Sequence, residues 1–467
     1  MFKPTTTTKW YLYLYIITLL FSCYNDSDDP KNVTPSSLSD TDSNNPNPFN
    51  GVMGPIDVLP YSEISTKAYI IELERWDIPN NRTEAVKTTD NLQAAIDWAI
   101  AEGYGIIRLP KGHYLIGKYG NDIYQAGITL DDNVAFLLDE NAVIEMAPNN
   151  KWNYCAIAVR NKVNVVISGG TILGDRNHVY TPRADGASTH DEGHLICIEG
   201  ESQFVTVENV ILGKANGDGI LMVGNKKGEA QNLKHITIRR NNFSDNRRQG
   251  VSLVGSADVL IELNEIHHTN GTSPQFGVDI EGAGRTNKDI AIINNYFHNN
   301  RGGDIVNTDG KNVLVEHNIL LQGDDSEYID GPVVYWKNAD WTIRHNSITM
   351  RTVSVNNWNG ILMYSNDNPK TNPATTYIYD NTLNNCGMYM YKGADLEIYN
   401  NYMNHGHLAF KEMLNLTLTN NHVDHDNKCW AYRFLEVSGN ASGNTYNGEA
   451  FNIPLVTDAT WDGCWIR

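Results

Sequence analysis

The sequence predicts an all-β chain: a single-stranded right-handed parallel β-helix, closed at its N-terminal end by a capping helix. Three observations carry this. First, an Asn-x-apolar triplet recurs at Asn209, Asn241, Asn264, Asn295, Asn318, Asn346, Asn381, Asn401, Asn421 and Asn444, at steps of 20 to 35 residues. Second, the triplets alternate with short period-two strands such as Val313-Leu-Val-Glu-His and Leu416-Thr-Leu-Thr. Third, no helix-period segment lies between them. A fixed phrase at such steps is a repeat architecture, and short parallel strands joined by Asn/Gly/Asp turns suit a solenoid. Propeller blades are longer, about 40–50 residues. Asn tolerates the left-handed backbone of a tight turn, and stacked amides can bond to their copies above and below.

The chain has 467 residues and a net charge of −19, which argues against a nucleic-acid partner. Its start reads as a targeting segment. Lys3 and Lys9 precede an apolar run from Trp10 to Phe21 that is short for a bilayer span, and Leu20-Phe-Ser-Cys23 resembles a bacterial lipobox. Residues 1–23 are thus expected to be a lipoprotein signal with Cys23 lipidated. Residues 24–55, rich in Ser, Asp, Asn, Pro and Thr, are expected to be a flexible tether. Residues 56–467 would form the β-helix, a monomer held at the cell surface or outer membrane by its lipid. Asp26, Asp28 and Asp29 resemble the acidic export tag of surface lipoproteins. Of the remaining cysteines, Cys155 and Cys197 read as core residues, and Cys429 and Cys464 as a candidate pair near the C-terminus.

Thr88 to Gly103 reads as the capping helix, with Leu92, Ala95, Ile96, Ala99 and Ile100 on one face, Asp90 as N-cap and Gly103 as terminator. Leu109-Pro-Lys-Gly-His-Tyr114 follows as strand, turn and strand. From this point the chain resembles the pectate-lyase-like superfamily, which commonly opens with such a helix and strand pair. Tyr69 to Trp76, Phe136 to Val143, Gly174-Asp-Arg-Asn-His178, Asp191-Glu-Gly-His194 and Gly217-Asp-Gly-Ile220 extend the resemblance over roughly residues 65–310. The resemblance implies the fold and, more weakly, action on polysaccharides, because related β-helices include lyases, hydrolases, epimerases and depolymerases.

Aligning the strands Leu195-Ile-Cys-Ile, Ile220-Leu-Met-Val, Val251-Ser-Leu-Val, Val278-Asp-Ile-Glu and Ile305-Val-Asn stacks the turns before them. Coils lie about 4.8 Å apart, so residues distant in sequence would share one exposed wall. The expected catalytic set is Lys214, Arg248, His194, Tyr180, Asp218 and Asp279. The expected substrate-binding set is Arg247, Arg301, Glu281, Asp304 and Glu192. Asp279 and Glu281 alternate on one strand and should point outward together. Asp218 between two glycines suggests close approach by a ligand.

Two chemistries fit. A lyase would cleave a uronate-containing polymer of alginate, glucuronan or ulvan type by β-elimination, with cations neutralising the carboxylate, Lys214, Arg248, His194 or Tyr180 taking the proton, and Tyr or His protonating the leaving oxygen. A glycoside hydrolase would use a carboxylate pair from Asp218, Asp279 and Asp304. A C5-epimerase or a non-catalytic glycan-binding surface protein would use the same groove. No cofactor is required, and Ca²⁺ on Asp218, Asp279, Glu281 and Asp304 is possible.

Overall fold

The computed structural model describes residues 59–117, 126–149, 153–176, 192–225, 233–308, 310–323, 334–336, 340–350, 359–364, 376–426 and 432–450. Cys23, the tether, Tyr180, Cys429 and Cys464 lie outside these residues. No helix among the described residues is long and apolar enough to cross a membrane.

The chain winds as short strands that pair in parallel with the equivalent strands of neighbouring coils, in two sheets of 24 and 14 strands among the described residues. Asp218–Gly224, for example, lies between Glu192–Gly200 and Gln249–Val254, with Ile220 beside both Ile196 and Val251. Thr445–Tyr446 with Glu449–Ala450 is an antiparallel exception. The first coil differs by one residue from the sequence alignment: Ile196, not Leu195, stands opposite Ile220. One continuous core of Ile, Val, Leu, Phe and Met fills the coils from Tyr69 to Val437.

Inside the coils runs the expected asparagine ladder, from Asn241 to Asn444, with every member at most 2% exposed. From Asn264 on, each amide oxygen accepts two hydrogen bonds from the coil before, as Asn318 Oδ1 does from the backbone N (2.9 Å) and Nδ2 (3.0 Å) of Asn295. Each Nδ2 donates to a strand carbonyl on that coil, as Asn318 does to Ile292 O at 2.8 Å. The ladder thus satisfies the polar groups that a buried corner would otherwise orphan.

Two details depart from expectation. The left-handed backbone belongs to the residue before each ladder asparagine: Arg240 (φ 53°), Leu263 (55°) and His317 (55°). Asn209 is such a residue (φ 56°), and Val210 holds the ladder position, donating its N–H to Asn241 Oδ1 at 3.0 Å.

The capping helix spans Ala85–Ala101. It buries Thr88, Thr89, Leu92, Ala95, Ile96 and Ala99 over the open end of the first coils. Full burial of Leu92 and Ile96 is worth about 1.5–3 kcal/mol each. Asp90 lies inside the helix and does not cap it. The N-cap is Glu84, itself left-handed (φ 50°) and without a side-chain capping bond. Gly103, at φ 78°, ends the helix as expected.

Cys155 and Cys197 are not separate core thiols; they form a disulfide across adjacent coils. Register places Cys155 opposite His194 and Cys197 opposite Ala158, and the two sulfurs meet on the outer side of the sheet.

Candidate functional site

The corner that precedes the strands Glu192–Gly200, Asp218–Gly224, Gln249–Val254, Phe276–Ile280 and Gly303–Asn307 holds most of the expected residues. Its shape follows from a column of glycines. A Cβ at Gly219 would lie 2.7 Å from Gly250 O and 2.7 Å from Phe243 Cδ1, and one at Gly250 would lie 2.5 Å from Gly277 O. Only glycine lets the coils stack this closely. Stacking, and not ligand approach, therefore explains the glycine beside Asp218. This column faces the core, so its neighbours His194, Asp218 and Gln249 turn the opposite way.

There, four charged groups interlock. Arg248 grips Asp218 with Nε on Oδ1 at 2.9 Å and Nη2 on Oδ2 at 3.0 Å, and its Nη1 reaches Glu192 Oε1 at 3.3 Å. His194 lies 3.3 Å from Glu192 Oε2 through Nε2 and 3.3 Å from Asp218 Oδ2 through Nδ1. Asp218 and His194 side chains are fully covered, Arg248 is 15% exposed and Glu192 21%. Burial works against every charge here, but the partners outweigh it. The Asp218 carboxyl is pushed up by burial and brought below its usual range by Arg248 and His194. Glu192 is likewise pushed up by burial and lowered overall by the His194 bond and the Arg248 charge. Burial lowers His194, yet Asp218 and Glu192 raise it overall to about 9.

The His194 ring nitrogen Nδ1 has two partners with opposite demands. Asp218 Oδ2 asks it to donate, and the Asp218 backbone N–H, at 3.1 Å, asks it to accept. Two carboxylates around one ring favour the imidazolium, which makes the quartet two anions and two cations. A buried set of this kind fixes geometry more surely than it adds stability.

The other expected residues are dispersed. Lys214 is exposed, on a left-handed corner (φ 59°) four residues before Asp218. It lines a separate cleft of about 440 Å³ with Arg82, His113, Glu145, Leu173 and Asp175. In that cleft Arg82 holds Glu145 through Nε and Nη2, both at 2.7 Å, and His113 Nε2 lies 2.6 Å from Glu145 Oε2. Asp175 is nearly covered, bonded by Tyr154 and by Asn216 Nδ2 at 2.7 Å. Arg247 donates through Nη2 to Arg176 O at 3.3 Å. Arg301 is exposed on the turn two coils on, where its backbone N bonds Thr269 O at 2.9 Å.

The expected exposed wall of acids does not form. Asp279 is 2% exposed and takes Gln249 Nε2 at 2.6 Å, while Glu281 is half-buried. Asp304 is fully covered because it continues the core-facing glycine column, opposite Gly277. Asn300 Nδ2 (2.9 Å) and Gln322 Nε2 bond it, and burial pushes its carboxyl up to about 8. Asp304 is thus removed from the substrate-binding set. Arg82, His113 and Glu145 were not foreseen. They lie in sequence beside the helix and first strands, and only winding brings them to Lys214.

Residues 183–324 and 227–402 match the family described as right handed beta helix region. YclG of Bacillus subtilis, an uncharacterized protein, is 32% identical over 267 residues, covering 54% of this chain and 45% of YclG. The chain spans about half the length of the curated relatives it matches. Among solved structures, PfbA, a surface adhesin of Streptococcus pneumoniae, superposes with a TM-score of 0.54 at 13% identity, over 85% of this chain and 96% of PfbA. A hyperthermoactive exopolygalacturonase of Thermotoga maritima gives 0.47 at 13% identity, over 83% and 93%. At such identities the likeness is one of fold. The chain therefore has the fold of a right-handed parallel β-helix, and residues 183–324 and 227–402 carry the sequence signature of that region.

Proposed function

We propose that the chain acts on an acidic extracellular polysaccharide and cleaves it by β-elimination. One observation carries this reading: the three aspartates from which a hydrolytic pair would be drawn are withdrawn, while Lys214 and Arg301 are presented. Asp218, Asp279 and Asp304 are each at most 2% exposed, whereas Lys214 and Arg301 on the same set of turns are exposed. A hydrolase needs two carboxyl groups that reach the glycosidic oxygen and a water. An elimination needs cations to neutralise a uronate carboxylate and a base for the adjacent proton. In this reading Lys214 takes the proton, and Arg301 and Arg247 bind carboxylates. Arg248, outside the cleft that Lys214 lines, would meet a carboxylate further along the polymer through its partly exposed edge. Glu192, Asp218 and His194 position that guanidinium and do not touch substrate. Tyr180 remains the proposed donor to the leaving oxygen.

A binding-only reading has support in the quartet itself, whose charges already satisfy one another. One experiment separates the readings. Wild-type protein and Lys214→Ala are incubated with a panel of uronate-containing and neutral polysaccharides. New reducing ends and the ultraviolet absorbance of an unsaturated uronate are followed together. Elimination gives both signals with wild type and neither with Lys214→Ala. Reducing ends without absorbance mean hydrolysis. Retention on the polymer without new ends means binding, and either outcome overturns the lyase reading.

A further inference from the structure

Three histidines converge on the outer side of the 14-stranded sheet. Strands Glu265–His267 and Tyr296–His298 are in register, so His267 faces His298, and their rings stack at 4.6 Å with a 6° tilt. His268 follows with a left-handed backbone (φ 55°), which swings its ring edge-on to both, 4.9 Å from His267 and 5.5 Å from His298. One nitrogen from each ring lies within 4.8 Å of the other two.

The groups behind these rings hold them as a metal site would require. His298 Nε2 lies 3.2 Å from Glu265 Oε1, and Glu265 Oε2 is itself fixed by Asn242 Nδ2 at 2.8 Å. A carboxylate on one ring nitrogen leaves the other bare for a metal, as in carboxylate–histidine–zinc triads. His268 Nδ1 lies 2.6 Å from His267 Nδ1, and its Nε2 faces Asn299 Nδ2 at 3.4 Å. Asn299 is 7% exposed, and its Oδ1 is buried without a hydrogen-bond partner. Turning that amide over would let Oδ1 accept from His268 Nε2–H. The proton on Nδ1 would then be dispensable and the orphaned oxygen satisfied. A second histidine stack among the described residues, His317 on His345 at 4.9 Å, has the Tyr379 ring beside it and not a third imidazole, and serves as an internal contrast.

We propose that His267, His268 and His298 bind one divalent transition metal of the zinc class, with Glu265 and Asn299 orienting the ligands. Three imidazoles suit Zn²⁺, Cu²⁺ or Ni²⁺ and leave a fourth position open, whereas Ca²⁺ takes oxygen ligands. The register Gly213, Ser244, His267 puts His268 two coils beyond Lys214 on the same corner, roughly 10 Å along the axis. The site stands independently of the proposed elimination.

The test is direct titration with ZnCl₂ of chelator-stripped protein that carries no polyhistidine tag, by calorimetry, with melting temperature read in parallel. Wild type should bind one equivalent and melt higher with Zn²⁺ than without, because only the folded chain presents the site. His298→Gln should abolish the stoichiometric uptake. Glu265→Gln should weaken it 10- to 100-fold, the usual effect of losing an orienting partner, roughly. His317→Gln/His345→Gln should bind like wild type, and CaCl₂ should neither bind nor compete. Absence of stoichiometric Zn²⁺ binding by wild type, or equal binding by folded His298→Gln, overturns the assignment.

Discussion

Arg248 holds Asp218 across adjacent coils by two parallel hydrogen bonds of 2.9 and 3.0 Å, and loss of either side chain leaves the other only a longer contact of 3.3 Å, to Glu192 or to His194. Removing one member of such a buried pair typically costs about 3–5 kcal/mol. Asp218→Asn should therefore lower the denaturation midpoint sharply. Arg248→Lys keeps the charge but loses the fork, and should destabilise the fold as well. A double substitution, Asp218→Leu with Arg248→Met, should recover much of the loss. If the proposed elimination is right, the double variant regains stability and stays inactive. Equal stability of wild type and Asp218→Asn would show that the pair is not buried as described.

His194 gives the quartet a pH dependence with a definite sign. Its folded value is raised to about 9, against an ordinary 6.5. Its contribution is therefore complete below about 6.5 and is lost as pH rises through about 9. Glu192 and Asp218, both lowered, act in the other direction: their contribution is present above the ordinary carboxylate range and is lost on acidification. Melting curves of wild type should fall between about pH 6.5 and 9, and His194→Gln should flatten that limb. A slope unchanged in His194→Gln would mean that the ring is neutral and accepts from the Asp218 N–H.

Asp304 produces a second limb. Its carboxyl is raised from 3.8 to about 8 by burial. A group that prefers its proton when folded loses stability as pH climbs from its unfolded value to its folded one, by about 1.4 kcal/mol per unit. Asp304→Asn keeps the acceptor for Asn300 and Gln322 and removes the ionisation. It should melt higher than wild type at neutral and alkaline pH and nearly the same near pH 4. Destabilisation at pH 8 would refute the buried, protonated assignment.

The repeat was legible in sequence because its physics is local. An asparagine must occupy each turn of the ladder, and period-two strands must flank it, so the fold and its parallel winding could be read from Asn241 to Asn444. Side-chain direction was less legible. Alternation reverses at the corner marked by Gly219, Gly250 and Gly277, and Asp304 continues that column into the core while Asp218 turns out of it. Which polar side chains meet depends on three-dimensional stacking. That is why Arg248 with Asp218 could be grouped from sequence, and why Lys214 with Arg82, His113 and Glu145 could not. The Cys155–Cys197 bond was hidden for the same reason, since the two lie 42 residues apart and meet only in register.

That disulfide closes a loop of 42 residues, for which the chain-entropy argument gives about 4 kcal/mol as an upper figure. The wild-type melting temperature should drop on adding a thiol reductant. Cys155→Ser with Cys197→Ser should start at the lower value and respond little. A reductant effect that persists undiminished in the double variant would locate the responsive bond elsewhere.

The ladder makes the sharpest contrast, between two neighbouring residues. Asn318 accepts two bonds from Asn295 and donates to Ile292 O at 2.8 Å and to Asn346 Oδ1 at 3.0 Å. Asn318→Ala would leave the Asn295 N–H and the Ile292 carbonyl buried without partners, at about 1–3 kcal/mol each. His317, immediately before it, is exposed and left-handed at φ 55°. Glycine occupies that backbone region without strain, so His317→Gly should be nearly neutral despite the loss of its ring. Denaturant midpoints of the two variants should therefore differ widely, with Asn318→Ala far the lower. Were His317→Gly the more damaging, the turn would depend on its surface stack with His345 and not on the buried amides.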